Sequence, residues 1–412
     1  MRVSPITCYR PNFSAASDFA SLPYDVFDED EARAYVESHP NSFLAIDRAE
    51  TAFEPGHDPY ADDVYEKAGQ LIRSKGYDGT LLKDQTPCYY LYRLEKDGHA
   101  QLGVVAACSV AEYEDGTIRR HENTHPEKTA DRVKHILATG AQTGPVLLAY
   151  PDDMVVDVIV GAARTADPLY DFVDENGVRQ TIWRVARDVT VEAIEFAFSK
   201  VPCAYIADGH HRASAAAEVC HLQREQAADD TKELASDSFL AVLFPASSLK
   251  LLPYNRVVAD TYGLAPEQLT SAIASAGFEV EGPVNSAVWP EEPRSFGLYV
   301  GEEWYSLRYT GPVADASVDP AAVLDVSILQ ERVLAPILGI ADPRTDQRIS
   351  FVGGSEGTSG LERRAGESGV AFSLYPTSVD DLMRVSDAGR LMPPKSTWFE
   401  PKLLSGFFIR RV

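Results

Sequence analysis

CAYIADGHHRASAAAE, residues 203–218, is the stretch on which the fold turns. Its opening, 203-CAYIA-207, is a short apolar run of buried-strand length, and 212-RASAAAEVCHLQREQ-226 is an alanine-rich helix. Between them Asp208, Gly209, His210, His211 and Arg212 make a glycine turn that leads straight into a helix N-terminus. Such a turn presents amide N–H groups and the positive end of the helix dipole, and Arg212 adds a planar fork of donors, so the combination suits a phosphate. An ordinary strand-to-helix turn, with Asp208 as cap and two surface histidines, is the plainer alternative. Two histidines and an arginine crowded on one turn are hard to justify by packing alone.

Outward from this stretch, strands and helices interleave. Residues 87–95 and 100–110 are β-rich runs joined by Lys96, Asp97, Gly98 and His99, a hairpin signal, and a second hairpin is expected around Asn176 and Gly177. Further strands are expected at 145–150 and 238–244. Helices are predicted over 28–38, 126–140 and 190–200, and over 58–76, where Asp58 can cap and Pro59 fits the first turn. From about 263 the texture becomes that of a separate unit: a helix at 265–276, a strand at 277–281, a hairpin through 296–309, a helix at 321–339 and a strand at 348–352. The glycine-rich 353-GGSEG-357 that follows lacks the lysine of a P-loop and reads as a turn. The fold class is therefore mixed α/β, with a core over 1–260 and a smaller α/β unit over 261–412 whose tail, from 384, is basic.

The chain has 412 residues, enough for two or three domains, and 24% charged with 45% hydrophobic residues is the composition of a folded protein. Lysine and arginine number 38 against 62 aspartates and glutamates, a net charge of -24. That excess repels phosphate backbones and anionic lipid, so neither nucleic acid nor membrane is expected as the main partner. Cys8, Cys88, Cys108, Cys203 and Cys220 are odd in number and scattered, and read as reduced thiols. With no apolar run of signal-peptide or membrane-span length, a cytoplasmic location is expected.

Two more clusters carry chemistry. In 119-RRHENTHPEK-128, His121, Glu122 and His125 match H-E-x-x-H, the zinc-protease pattern. Pro126 argues against it, because proline disfavours helical geometry at the preceding residue and clashes with the carbonyl of Glu122. No zinc is expected for that reason and because the cysteines lack ligand spacing. An exposed polar loop and a site loop acting through Arg120, His121 and Glu122 remain the readings of this segment. In 391-LMPPKSTWFEPKLLSGFFI-409, Lys395 beside Ser396 and Thr397 is either an anion site or solvated charge next to a closing strand.

The same stretches, in order, carry a family resemblance: Leu22-Pro23-Tyr24-Asp25-Val26; Arg120-His121-Glu122 with Thr124; Asp208-Gly209-His210-His211-Arg212; 251-LLPYNRVV-258; and Met392-Pro393-Pro394-Lys395-Ser396-Thr397 with Pro401-Lys402-Leu403-Leu404-Ser405-Gly406. They resemble the bacterial family catalogued as domain of unknown function 1015 over nearly the whole chain. The D-G-H-H-R turn is also similar to the phosphate-binding turn of the ParB/sulfiredoxin-like superfamily, which includes free-serine kinases, ParB nucleotide switches and sulfiredoxins. His210 stands where sulfiredoxins place their reactive cysteine, which counts against that activity.

What the resemblance implies is a ParB/sulfiredoxin-like core and phosphoryl transfer between a nucleotide, ATP or ADP, and a small hydroxy amino acid such as serine. In that scheme Gly209, His210, His211, Arg212, Arg120, Lys395, Ser396 and Thr397 hold phosphate or nucleotide. Asp208 is a Mg²⁺ ligand, Glu122 is the base, and His121, His211 and Asp208 join it in the chemistry. A phosphatase acting on O-phosphoserine or a similar monoester, and a non-catalytic nucleotide switch, are the alternatives. The expected ligand in every case is a small phosphorylated molecule or nucleotide.

Overall fold

A computed structural model describes residues 1–164, 167–229 and 231–412. The chain forms two compact units, one of residues 1–249 together with 401–412, the other of residues 250–400. The architecture is mixed α/β in both.

The first unit is built on a nine-stranded sheet. Its strands are β1 (Val3–Ser4), β2 (Tyr89–Lys96), β3 (His99–Ser109), β4 (Ile118–Arg119), β5 (Val146–Tyr150), β6 (Tyr170–Val173), β7 (Arg179–Val185), β8 (Ala204–Asp208) and β9 (Ser238–Pro245). They lie in the order β4-β8-β5-β9-β3-β2-β7-β6, with β1 paired to β3. The hairpin between β2 and β3 turns at Asp97 and Gly98, both with positive φ, the geometry that matches strand twist. Helices α1 (Asp62–Tyr77), α2 (Pro126–Thr139), α3 (Met154–Ala163), α4 (Asp188–Phe198) and α5 (His210–Gln226) are the unit's main helices, beside the shorter Glu29–Ser38 and a small four-stranded sheet. One core lies between sheet and helices, where Leu148, Ile206 and Leu243 meet Phe198 of α4 and Ala213, Ala216 and Cys220 of α5. The alanines of α5 leave room for α2 on the other side, with Val133 and Ile136 packed on Ala215 and Val219.

Two register features place the functional turn. Strand β8 runs antiparallel to β5, and its register slips between Ile206 and Asp208, a bulge that re-aims Asp208 at the strand end. It runs parallel to β4, pairing Ala204 with Ile118 and Tyr205 with Arg119. Parallel neighbours end on the same side, so residues 120–122 after β4 emerge beside residues 209–212 after β8.

In the second unit a six-stranded sheet holds β10 (Tyr254–Val258), β11 (Phe278–Val284), β12 (Ser295–Val300), β13 (Glu303–Tyr309), β14 (Ile349–Gly353) and β15 (Val370–Leu374), ordered β11-β13-β12-β15-β10-β14. Helices α6 (Pro266–Ser275) and α7 (Gly357–Ala365) pack with it, and α8 (Val379–Asp387) belongs to the same unit.

Several boundaries differ from the sequence reading. Helix α1 starts at Asp62 because Asp58 is used in a tight turn, its side chain accepting from Tyr60 N–H at 2.9 Å. The helix expected over 321–339 is one α-turn, Asp325–Leu329, followed by a π-helical turn, Gln330–Leu334. The turn expected over 353–357 is a 3₁₀ turn, Gly354–Glu356, that leads directly into α7 at Gly357. Helix α5 begins two residues before the expected Arg212, taking His210 and His211 into its first turn.

Candidate functional site

Gly209 adopts φ 96° in the left-handed region, which lets β8 turn directly into α5 with no intervening loop. A Cβ there would stand 3.0 Å from the Arg212 guanidinium carbon, so any other residue would press on Arg212 as well as strain the torsion. No side chain caps α5, and its first intrahelical bond runs from Ala213 N–H to Gly209 C=O at 3.0 Å. The amides of residues 210–212 thus sit at the positive end of a 17-residue helix.

The two histidines of the turn are not equivalent. His210 is 7% exposed, and its Nε2 is buried without a hydrogen-bond partner. Burial, reinforced by the neighbouring His121, holds its pKa well below the ordinary value, so the ring is neutral. His211 is half-buried, and its Nε2 accepts the His125 backbone N–H at 2.9 Å, which fixes the turn to the start of α2. His121 is buried against His210, ring centroids 4.5 Å apart and nearly perpendicular. Burial pushes its pKa down to about 4 against the opposing pull of a hydrogen bond to the Ile206 backbone and of Asp208. Glu122 is half-buried beside them, and ligand atoms of His121, Glu122 and His210 all lie within 4.8 Å of one another. Arg120 is exposed on the same loop.

Arg212 points inward. It donates through Nη2 to Asp208 Oδ2 at 2.9 Å and through Nη1 to the Pro145 carbonyl just before β5. Burial works against its charge, but Asp208, Asp25, Tyr24 and Asp47 outweigh this and its pKa is raised. A small cavity of about 30 Å³ lies along it, lined by Tyr24, Asp47, Arg132, His135, Thr143 and Arg212 among others. Arg132 stacks on Tyr24, 4.0 Å from the ring centroid. A larger recess of about 460 Å³, bounded by Tyr35, His39 and Glu175 among others, has none of the expected site residues in its lining.

Asp208, expected as a Mg²⁺ ligand, has a cation on each oxygen: Arg212 on Oδ2 and Lys402 Nζ 3.5 Å from Oδ1. Among the described residues, the side chains gathered at metal-ligand spacing are instead His121, Glu122 and His210. The zinc pattern of the sequence paired His121 with His125. Helix α2 starts at Pro126 with His125 as its N-cap, so those two share no helix, and the second histidine near His121 comes from α5.

Lys402 and Tyr24 were not assigned roles from the sequence, although both lie in motifs that carry the family resemblance. Ser405 exchanges backbone hydrogen bonds with Ser21, which sets 401–406 beside 22–26 within the first unit. Lys395, Ser396 and Thr397 belong to the second unit. There Lys395 Nζ lies 5.6 Å from the Tyr254 ring centroid, Ser396 donates to the Pro393 carbonyl at 2.7 Å, and Arg256 donates to the Pro394 carbonyl at 3.2 Å. The motifs at 251–258 and 392–397 therefore meet each other.

A mixed α/β protein whose parallel strands β4 and β8 deliver a histidine-rich loop to an uncapped helix N-terminus is the class that fold and site define. The chain belongs to the family described as Protein of unknown function (DUF1015), whose model matches residues 3–327. No curated protein matches it. Among similar solved structures, a mutant free serine kinase in complex with AMP is 13% identical over 72% of this chain and 86% of its own, with a TM-score of 0.37. SbnI with a C-terminal truncation, from Staphylococcus aureus, is 14% identical over 74% and 87%, TM-score 0.40. A conserved hypothetical protein from Pyrococcus furiosus is 14% identical over 75% and 94%, TM-score 0.34. No helix among the described residues is long and apolar enough to cross a membrane.

Proposed function

We propose that the protein transfers a phosphoryl group between a nucleotide, ATP or ADP, and a small hydroxy amino acid such as free serine. The observation that carries this reading is the Gly209 turn, an uncapped N-terminus of α5 with Glu122 held beside it. Amides of the first turn and exposed Arg120 would hold the transferring phosphate. Arg212 and Lys402 would fix Asp208 and, through it, the turn. As the P–O bond to the nucleotide breaks and a new one forms to the hydroxyl, Glu122 would take the hydroxyl proton. The similarity of D-G-H-H-R to the phosphate-binding turn of the ParB/sulfiredoxin-like superfamily, which includes free-serine kinases, supports the nucleotide and the acceptor class.

Purified protein incubated with ATP or ADP should consume nucleotide only when L-serine or a close hydroxy amino acid is added. Glu122→Gln keeps the side-chain shape and removes the basicity, so turnover should fall by about 10²–10⁴ with nucleotide affinity kept. Release of phosphate from O-phosphoserine without nucleotide would replace the reading with a phosphatase, and nucleotide binding with no acceptor turnover would replace it with a switch.

A further inference from the structure

We infer that His121, Glu122 and His210 bind one divalent transition-metal ion, of the zinc, manganese or ferrous class, through two imidazole nitrogens and one carboxylate oxygen. The inference needs only these three side chains and does not rest on the phosphoryl-transfer reading.

Three observations converge. The donor atoms lie within 4.8 Å of one another, whereas ligands around a tetrahedral ion at about 2.1 Å stand about 3.4 Å apart, so small side-chain rotations would close the site. His210 Nε2 is a buried polar atom without a hydrogen-bond partner, a state that native interiors rarely tolerate and that a coordinated ion removes. The His121 ring is held by a hydrogen bond to the Ile206 backbone, the kind of outer contact that orients a histidine ligand.

Imidazole donors choose among ions. Magnesium and calcium prefer oxygen ligands, whereas two imidazoles with one carboxylate suit the first-row transition metals and leave coordination positions open. The positive end of α5 and Arg120 oppose a cation here. Glu122 and Asp208, both felt at the site, oppose them in turn. A carboxylate that gives one oxygen to the ion keeps the other for a proton, so ligation by Glu122 is compatible with its role as acceptor.

The test uses full-length, chelator-treated protein and Co²⁺ as a spectroscopic probe, with no nucleotide present. Wild type should take up one Co²⁺ per chain with visible d–d bands, and Zn²⁺ should displace it. Glu122→Gln and His210→Gln should each weaken uptake by at least about tenfold, while His125→Ala leaves it unchanged. Melting of the metal-free variants checks the fold. Should His210→Gln unfold, Glu122→Gln, at a half-exposed position, carries the test alone. Absence of Co²⁺ and Zn²⁺ uptake in wild type, or equal affinity in wild type and Glu122→Gln, would overturn the site. So would a loss in His125→Ala as large as that in Glu122→Gln, since it would return the ligands to the H-E-x-x-H pair. Nucleotide turnover without ion uptake would remove the metal and leave the transferase; ion uptake without nucleotide binding would do the reverse.

Discussion

Arg212 turns its guanidinium towards the scaffold, donating to Asp208 and Pro145. From the sequence it reads as a direct phosphate donor, because Pro145 is 67 residues away and only the antiparallel pairing of β5 and β8 brings them together. Arg212→Ala should destabilise the fold by about 3 kcal/mol, since it removes the partly buried guanidinium that pairs with Asp208. It should also abolish most of the nucleotide-dependent melting shift, which in wild type at 100 times the dissociation constant corresponds to about 2.7 kcal/mol. A shift equal to wild type would detach Arg212 from the site. Gly209→Ala forces a left-handed torsion on a residue with a Cβ and should cost about 1–2 kcal/mol in chemical denaturation. The division of labour between His210 and His211 was not legible, because adjacent identical residues in a turn give no signal of which one the helix buries.

Elements with strong local signals were readable. Pro126 and Gly140 bound α2 as their chemistry dictates, with Gly140 at φ 60°. Helix starts that depend on competition were not: Asp58 can cap a helix or close a turn, and tertiary packing selects the turn. The short helix Asp325–Leu329 supplies a pH test of the second unit. Desolvation raises the Asp325 carboxyl to about 7, against the backbone N–H of Arg294 at 2.9 Å, which favours its charge. Unfolded, the same group titrates near pH 4. Between about pH 4 and 7 the folded chain therefore holds the extra proton, so this contribution to stability is present in acid, is lost as pH rises through that window, and is flat above it. Its slope is at most about 1.4 kcal/mol per pH unit. Asp325→Asn should remove it in melting curves recorded from pH 4 to 8. An unchanged profile would assign the slope to other groups.

At the scale of the molecule, interleaved strands and helices sufficed for the mixed α/β class, but not for which strands become neighbours. Residues 118–119 form too short a run to announce a strand, yet their pairing with β8 is what carries Arg120, His121 and Glu122 to the turn. The segment 401–412 gives the first unit buried Phe407, Phe408 and Ile409 as well as Lys402. A chain ending at Glu400 should lose cooperative unfolding of that unit, since each buried phenylalanine alone is worth about 3–5 kcal/mol. Far-UV circular dichroism during heating would show it. A sharp transition for the first unit in the shortened chain would mean the segment is dispensable.

That return of the chain also fixes an order of assembly at the ribosome. Residues 250–400 are contiguous and can fold as soon as they emerge. The first unit, although most of it is synthesised earlier, waits for residues 401–412, and until Lys402 arrives the ion pair it makes with Asp208 is missing. The nascent chain thus carries an incomplete turn for the whole time that the second unit is being made.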